Sequence, residues 1–301
     1  MNRFPLDWEQ IFVRSAPLGI EIGCGNGEYL VRWAQTQPDW NFIGIELSLG
    51  SVERIVERVY KEGMTHVRLL RDDARFALRE LFPDNSIRQV VMNFPDPWPK
   101  EKHQHRRLIL PEFVQTLAAV LENRGSFELT TDQKWYAQQA EQVFEQNSCF
   151  ITREIEVNPT RSVTTKYQRK WLAMGREVYR FCATKVKSST VNRILENTEM
   201  PHVVIRQIPR EETLRRLVGL VRKENEMVLN IKRLFTDESD GTFLLRTVTA
   251  DGFYRQNFYI LVAPHAGGTI VKIDPHSCPF RTPAVKFAIR EIAAIIQREM
   301  E

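Results

Sequence analysis

Cysteine is scarce in this chain and falls in no paired motif. The four residues, Cys24, Cys149, Cys182 and Cys278, are far apart and form no CxxC. That excludes a disulfide framework and leaves no zinc-type spacing. Long apolar runs are missing too: none reaches the ~20 residues that cross a bilayer. The opening Met1-Asn2-Arg3-Phe4-Pro5 leads into no apolar leader block, so a cytoplasmic protein with no membrane and no metal partner is expected. Internal repeats and low-complexity tracts are absent. A strong excess of one charge is also lacking. With 42 Lys and Arg against 38 Asp and Glu, the formal net charge is +4. A nucleic-acid partner is permitted, but a local patch must hold it. What is present is 301 residues, 43% hydrophobic and 27% charged. This suits a soluble chain of two domains, or one large one, with a proper core.

Between Leu18 and Asp132, short apolar runs alternate with helical periods. Strands are predicted over Leu18 to Ile22, Asn41 to Ile45, Val67 to Leu70, Gln89 to Asn93 and Ser126 to Thr130. Helices are predicted over Glu28 to Gln37, Ser51 to Glu62, Arg75 to Leu81, Leu108 to Leu121 and Tyr136 to Gln146. This alternation argues for a parallel α/β sheet. Phe150 to Val157 and Val178 to Thr184 read as a late antiparallel hairpin at its edge. Residues 186–198 are polar and read as a linker. Beyond them the pattern changes to a small α+β domain over 199–301. A strand is predicted over His202 to Ile208 and a helix over Glu211 to Lys223. Two strands, Phe243 to Thr249 and Phe253 to Val262, flank a turn at Asp251-Gly252. A last helix runs from Pro283 to Arg298. The first domain is therefore expected to be 1–185.

Glu21-Ile22-Gly23-Cys24-Gly25-Asn26-Gly27 ends the first strand and opens a helix. Gly23, Gly25 and Gly27 let the backbone turn sharply and approach a ligand. The spacing is not the GxGxxG of nicotinamide sites, and Glu21 would repel a pyrophosphate. It suits a ligand with an ammonium group, such as the methionine part of S-adenosylmethionine. Glu46 ends the second strand, where an acid can accept ribose hydroxyls; the alternative is a helix N-terminal acid. Asp73-Ala74 follows the third strand and could meet an adenine amino group; the alternative is a helix cap. Three acids after three successive strands share one sheet edge, where open α/β sheets bind ligands.

Phe94-Pro95-Asp96-Pro97-Trp98-Pro99-Lys100 places one carboxylate in a frame of three prolines. Proline fixes φ and removes a donor, so the segment is a stiff loop. Lys102, His103, Gln104, His105, Arg106 and Arg107 follow as a largely basic run. Trp98 can stack on a base or pack the loop onto the sheet.

With these residues in view, the chain resembles the bacterial tRNA (guanine-N7)-methyltransferases. The resemblance rests on EIGCGNG at Glu21 to Gly27, Gly44-Ile45-Glu46, Asp73-Ala74, FPDPWPK with His103 and Arg106-Arg107, Thr131-Asp132, and Thr165-Lys166-Tyr167-Gln168. It covers roughly Leu18 to Thr184. It implies a class I methyltransferase fold, Rossmann-like with a mostly parallel seven-stranded sheet. It also implies S-adenosylmethionine as donor and guanine N7 in the tRNA variable loop as acceptor. By the same resemblance Glu21, Gly23, Gly25, Gly27, Glu46, Asp73, Ala74 and Asp96 bind the cofactor, and Asp96 is the catalytic residue. Lys100, Asp132, Thr165, Lys166, Tyr167 and Gln168 would contact the guanosine, and Lys102 to Arg107 the RNA. Two residues depart from the family pattern: His105 replaces a lysine of HxKRR, and Gln168 replaces the acid of TxYE.

Two other functions compete. One is a methyltransferase for a protein or small molecule, against which the basic run speaks. The other is a tRNA-binding protein without catalysis, against which the intact acids and glycines speak. The C-terminal domain carries no metal spacing, nucleophile elbow or phosphate loop. Arg215, Arg216, Arg222 and Lys223 could form a basic helix face or merely a solvated one. The protein is expected to be a monomer or a homodimer.

Overall fold

The computed structural model describes residues 3–195, 201–237 and 239–298. Two compact units divide the chain, one of residues Pro5–Arg193 and one that comprises the described residues from Ile194 on together with residues 3 and 4.

The first unit is built in the order α1 (Trp8–Phe12), β1 (Leu18–Ile22), α2 (Glu28–Thr36), β2 (Asn41–Ile45), α3 (Leu49–Lys61), β3 (Val67–Leu70), α4 (Ala74–Leu81), β4 (Ile87–Asn93). There follow α5 (Pro111–Val120), β5 (Leu121–Thr131), α6 (Lys134–Glu145), β6 (Phe150–Thr152), β7 (Glu156–Val157), α7 (Lys166–Ala173) and β8 (Tyr179–Lys185). The sheet order is β3-β2-β1-β4-β5-β8-β6, with β7 also on β8. β1 to β5 are parallel neighbours, and β8 is antiparallel to β5. β6 and β7 pair with the same edge of β8, so the predicted outer strand is one seventh position interrupted over three residues. This is the class I methyltransferase arrangement that the resemblance implies.

Every residue of β1 and β2 is buried. Helices cover both faces of such strands, so they read as continuous apolar runs and not as alternating ones. Glu21 is therefore a carboxylate inside a buried strand. Gly44 lets β2 pass under the glycine turn: a Cβ there would lie 2.8 Å from both Cys24 Sγ and Leu30. Helix α5 begins at Pro111, later than predicted, because proline is tolerated only in the first turn. Helices α1 and α7 were not expected. The Asp7 carboxylate caps α1, and the Thr165 hydroxyl caps α7.

The expected linker, 186–198, opens with residues that are hydrogen-bonded. Residues 186–193 are fastened to the first unit. Val186 N–H donates to the Cys149 carbonyl at 2.8 Å, and Arg193 donates to the Phe82 carbonyl and to Asp84. Residues 196–198 of that expectation lie outside the described residues.

The second unit contains β9 (His202–Ile205), α8 (Glu211–Arg216), β10 (Val221–Glu224), β11 (Met227–Asp237), β12 (Thr242–Asp251), β13 (Tyr254–His265), β14 (Gly268–Ile273) and α9 (Pro283–Arg298). Its strands form an antiparallel sheet in the order β10-β11-β12-β13-β14-β9. Val285, Ile289, Ile292 and Ile296 of α9 pack with Ile231, Leu245, Phe258 and Ile260 as its core. The helix predicted to Lys223 stops at Arg216. Gly219, at φ +88°, donates its N–H to the Ile231 carbonyl and sends Val221 into the sheet instead. The turn expected at Asp251-Gly252 is a two-residue loop: Asp251 pairs with Tyr254, and Gly252 has φ +58°.

Candidate active site

The carboxyl ends of β1 to β5 bring the predicted acids to one edge of the sheet. Two clefts open there. The larger, about 590 Å³, is lined by Glu21, Gly25, Asn93, Asp132, Thr165 and Tyr167 among others. The smaller, about 220 Å³, is lined by Glu46, Asp72, Asp73, Ala74, Trp98 and Arg106 among others. Only Gly23, Pro95 and Asp96 line both. Asp96 therefore stands in the wall that the two clefts share. Its carboxylate is solvent-exposed and has no protein hydrogen-bond partner among the described residues.

Glu21 is 2% exposed, and Asn93 Nδ2 donates to its Oε1 at 3.1 Å. Its Oε2 has no partner within the described protein. Burial pushes the carboxyl up to about 8, although the Asn93 hydrogen bond and the nearby Arg161 charge pull it down. Arg161 organises the floor behind it. It donates to Asn93 Oδ1 at 2.9 Å, to the Tyr29 hydroxyl at 2.9 Å and to Glu128 Oε1, and its guanidinium lies over the Tyr29 ring. Glu128 also accepts from Arg180 at 2.8 Å. This chain of polar groups ties β1, β4, β5 and β8 to the segment preceding α7. Sequence reasoning missed Asn93, Arg161 and Glu128, because nothing in their spacing marks them.

Gly23 and Gly25 have φ of +71° and +56°, and open space lies where their Cβ atoms would be. Glycine is required for the conformation, and the space leaves the backbone reachable by a ligand. Gly27, at φ +75°, starts α2 against Ile55 and lines neither cleft. Glu46 is held by backbone donors: Gly25 N–H gives to Oε2 at 3.0 Å, and Leu47 and Ser48 N–H give to Oε1 at 2.9 Å. By lone-pair count Oε2 keeps one acceptor position and Oε1 none. Asp73 caps α4 through Arg75 N–H at 2.9 Å and pairs with the Arg75 guanidinium at 2.7 Å. Its cap role is real, and its carboxylate still lines the smaller cleft with Asp72 and Ala74.

The proline loop holds two non-glycine residues at left-handed φ, Phe94 at +49° and Trp98 at +46°. Bulky side chains are rare there, and such strain clusters at functional segments. Arg107 accounts for much of its fixation. Arg107, expected to contact RNA, is 9% exposed and donates to the carbonyls of Trp98 and Pro99 and to Gln139. Its guanidinium lies over Trp135. With its donors so used, it clamps the loop and is turned largely away from solvent. Arg106, by contrast, is exposed, stacks over the Trp98 ring at 4.8 Å and lines the smaller cleft. His103 meets the other edge of Trp98 at 5.7 Å. Lys100, Lys102, Gln104 and His105 are exposed on or beside a 3₁₀ turn over Glu101–Arg106. Lys100 lines neither cleft.

Asp132 lines the larger cleft, with Arg176 4.0 Å away. Tyr167 is 58% exposed at its rim, 6.3 Å from the Phe94 ring. Thr165 is buried and lines the cleft as the α7 cap. The Lys166 side chain lies outside what is described. Gln168, expected to contact the guanosine, is 1% exposed, lines neither cleft, and leaves Oε1 without a partner within the described protein. A carboxylate at this inward position would need a cation, which a neutral amide does not. Trp171, not foreseen, adds an aromatic wall and carries the Arg176 guanidinium at 4.4 Å. No group of three or more His, Cys, Asp and Glu side chains among the described residues could hold a metal.

A family model described as "Putative methyltransferase" matches residues 15–181. A tRNA (guanine-N(7)-)-methyltransferase of Thermotoga maritima is 40% identical over 292 residues, 96% of this chain and 92% of that protein. The enzyme of the same name in Coprothermobacter proteolyticus is 33% identical over 301 residues, 97% of this chain and 90% of its own. The corresponding protein of Saccharophagus degradans is 36% identical but covers 58% of this chain and 78% of its own.

Proposed function

The chain belongs to the tRNA (guanine-N7)-methyltransferase family, and on that premise we propose that it transfers a methyl group from S-adenosylmethionine to guanine N7 in the variable loop of tRNA. The observation that carries the reading is Asp96 in the one wall shared by two clefts. The donor set suits the cofactor. A buried Glu21 Oε2 without a partner awaits a cationic donor, open space lies over Gly23 and Gly25, and Glu46 keeps an acceptor. Glu21 would hold the ammonium group, Glu46 a ribose hydroxyl, and the Asp73-Ala74 cleft the adenine. When bound, S-adenosylmethionine supplies an electrophilic methyl group on a sulfonium.

Guanine N7 carries an available lone pair at neutral pH, so no proton need be removed first. The work left to the protein is alignment of two bound reactants. The guanine ring gains positive charge as it is methylated. Asp96 can accept hydrogen bonds from the guanine and stabilise that charge, because no protein donor occupies its oxygens. General-base work at Asp96 is the alternative role. Asp132, Thr165 and Tyr167 line the same cleft and would orient the base. Phosphate contacts from Arg106 and the exposed basic side chains beside it would fix register without reading sequence. The cytoplasm, where tRNA is matured, is the proposed site of action.

The test is to incubate the protein with methyl-labelled cofactor and a tRNA transcript and locate the modified base. Asp96→Asn should lower single-turnover methylation by roughly 10²-fold while tRNA binding is retained. Label on another base, or none, refutes the reading. A variant within about threefold of wild type removes the charge from the mechanism.

A further inference from the structure

The sheet of the second unit has one face buried under α9 and one face without a covering element among the described residues. Strand pairing fixes which side chains share the open face. Arg246 pairs with Tyr259 across β12 and β13, and with Arg233 across β12 and β11. Phe235 is two residues beyond Arg233, and its ring meets Tyr259 at 5.9 Å. Arg255 lies on the same face of β13, Lys272 opposite Leu261 on β14, and Lys223 opposite Val228 on β10. Five cations thus stand on this face. Within the paired strands the only acid of the same parity is Asp237, at the far end of β11, where its carboxylate accepts from Ser239. None of the five cations is ion-paired with a described residue.

Two features argue against an idle solvated surface. Like charges placed directly opposite in a sheet are destabilising, and Arg233 faces Arg246 with no acid between them. An anion resting there would relieve that repulsion. Phe235 and Tyr259 are 45% and 36% exposed, so two aromatic rings stand in water among the arginines. Interleaved cations and aromatic faces are what an RNA strand meets through phosphates and bases.

We propose that this face is a second RNA-binding surface, which grips the substrate tRNA at a part of the molecule other than the target guanine. The cations take phosphates, and Phe235 and Tyr259 receive an unstacked base. The proposal rests on tRNA being the substrate. The basic run of the first unit supplies the grip at the site of chemistry, and this face supplies affinity.

The test uses the full chain. Arg246→Ala combined with Arg255→Ala, and separately Phe235→Ala with Tyr259→Ala, are compared with wild type. Measurements are tRNA methylation kinetics, tRNA binding across a salt series, and cofactor affinity. The arginine pair should raise KM for tRNA by roughly tenfold and reduce the salt slope by about two, leaving kcat and cofactor affinity unchanged. The aromatic pair should raise KM with little change of slope. Arg246→Lys with Arg255→Lys should keep the wild-type slope, which separates lost charge from lost folding. Unchanged KM and slope in the alanine variants, with an active wild type, would overturn the proposal. So would a change confined to oligomeric state by light scattering, which would assign the face to a second copy. A wild type that methylates no tRNA would instead refute the function proposed above.

Discussion

Replacing Glu21 by glutamine should make the protein more stable at neutral and alkaline pH and a worse binder of its cofactor. Glu21 sits inside a strand buried on both faces, and its carboxyl is raised from 4.5 to about 8, chiefly by desolvation. Between those values the folded chain holds a proton that the unfolded chain has released. The unfolded state then binds fewer protons, so stability falls as pH rises through this window and levels off above about 8. At ~1.36 kcal/mol per pH unit the full window corresponds to roughly 5 kcal/mol, an upper bound if the fold relaxes or water enters. Glutamine has the same shape and no such proton.

The measurement is urea unfolding of both proteins at about pH 5 and about pH 8.5. The variant should gain on wild type by roughly 1 kcal/mol or more per pH unit across the window. Calorimetry with S-adenosylhomocysteine should show the opposite cost, a loss of about 1.5–3 kcal/mol for a charge-assisted hydrogen bond. A stability gap flat with pH, within about 0.5 kcal/mol, would mean that Arg161 and Asn93 already hold Glu21 ionised, and the argument from burial would fail.

The two adjacent arginines should separate cleanly. Arg106→Ala should reduce the salt slope of tRNA binding by roughly one. Arg107→Ala should leave that slope alone, destabilise the loop by roughly 1–3 kcal/mol through the carbonyls it abandons, and lower kcat; a fall in slope would return Arg107 to the RNA. A chain ending at Arg193 should fold and bind cofactor, whereas one ending at Lys185 should melt roughly 4–8 °C lower, since it loses the bonds to Phe82 and Asp84. Equal melting curves would show that 186–193 is idle.

Much of the first unit could be read directly. β1 and β2 announce themselves as short apolar runs closed by a glycine or an acid, because both faces of each strand are covered, whereas β3, at the sheet edge, carries Arg68 and is mostly half-buried. The acids Glu21, Glu46 and Asp73 followed from topology, since they stand near the carboxyl ends of parallel strands, Glu21 late in β1, Glu46 just after β2 and Asp73 at the start of α4. Other features were illegible for physical reasons. Helix α7 is polar over KYQRKWLA and exists through the Thr165 cap and its Arg169–Glu28 pair, neither of which has a periodicity. Arg106 and Arg107 look alike in sequence; which one turns inward depends on a 3₁₀ turn. Arg161 is far in sequence from Glu21, Asn93 and Glu128, and only the closed sheet makes them neighbours. In the second unit the apolar spacing from Leu214 to Val221 fits a helix, but it is shared between a short helix and an edge strand.

The direction of β8 has a consequence for how such a chain can grow. Ser126, at the start of the paired run of β5, faces Thr184, and Thr131, at the site edge, faces Tyr179. The last strand therefore runs away from the chemistry. Lys185 ends it at the opposite rim, where its ammonium donates to the carbonyls of Ala119 and Leu121 and to Asn85. Whatever is appended after this residue starts on the side of the sheet opposite the glycine turn, Glu46 and the proline loop. A tail can be lengthened, exchanged or lost there as an independent inheritance, and the methyl-transfer apparatus need not change a single residue to accommodate it.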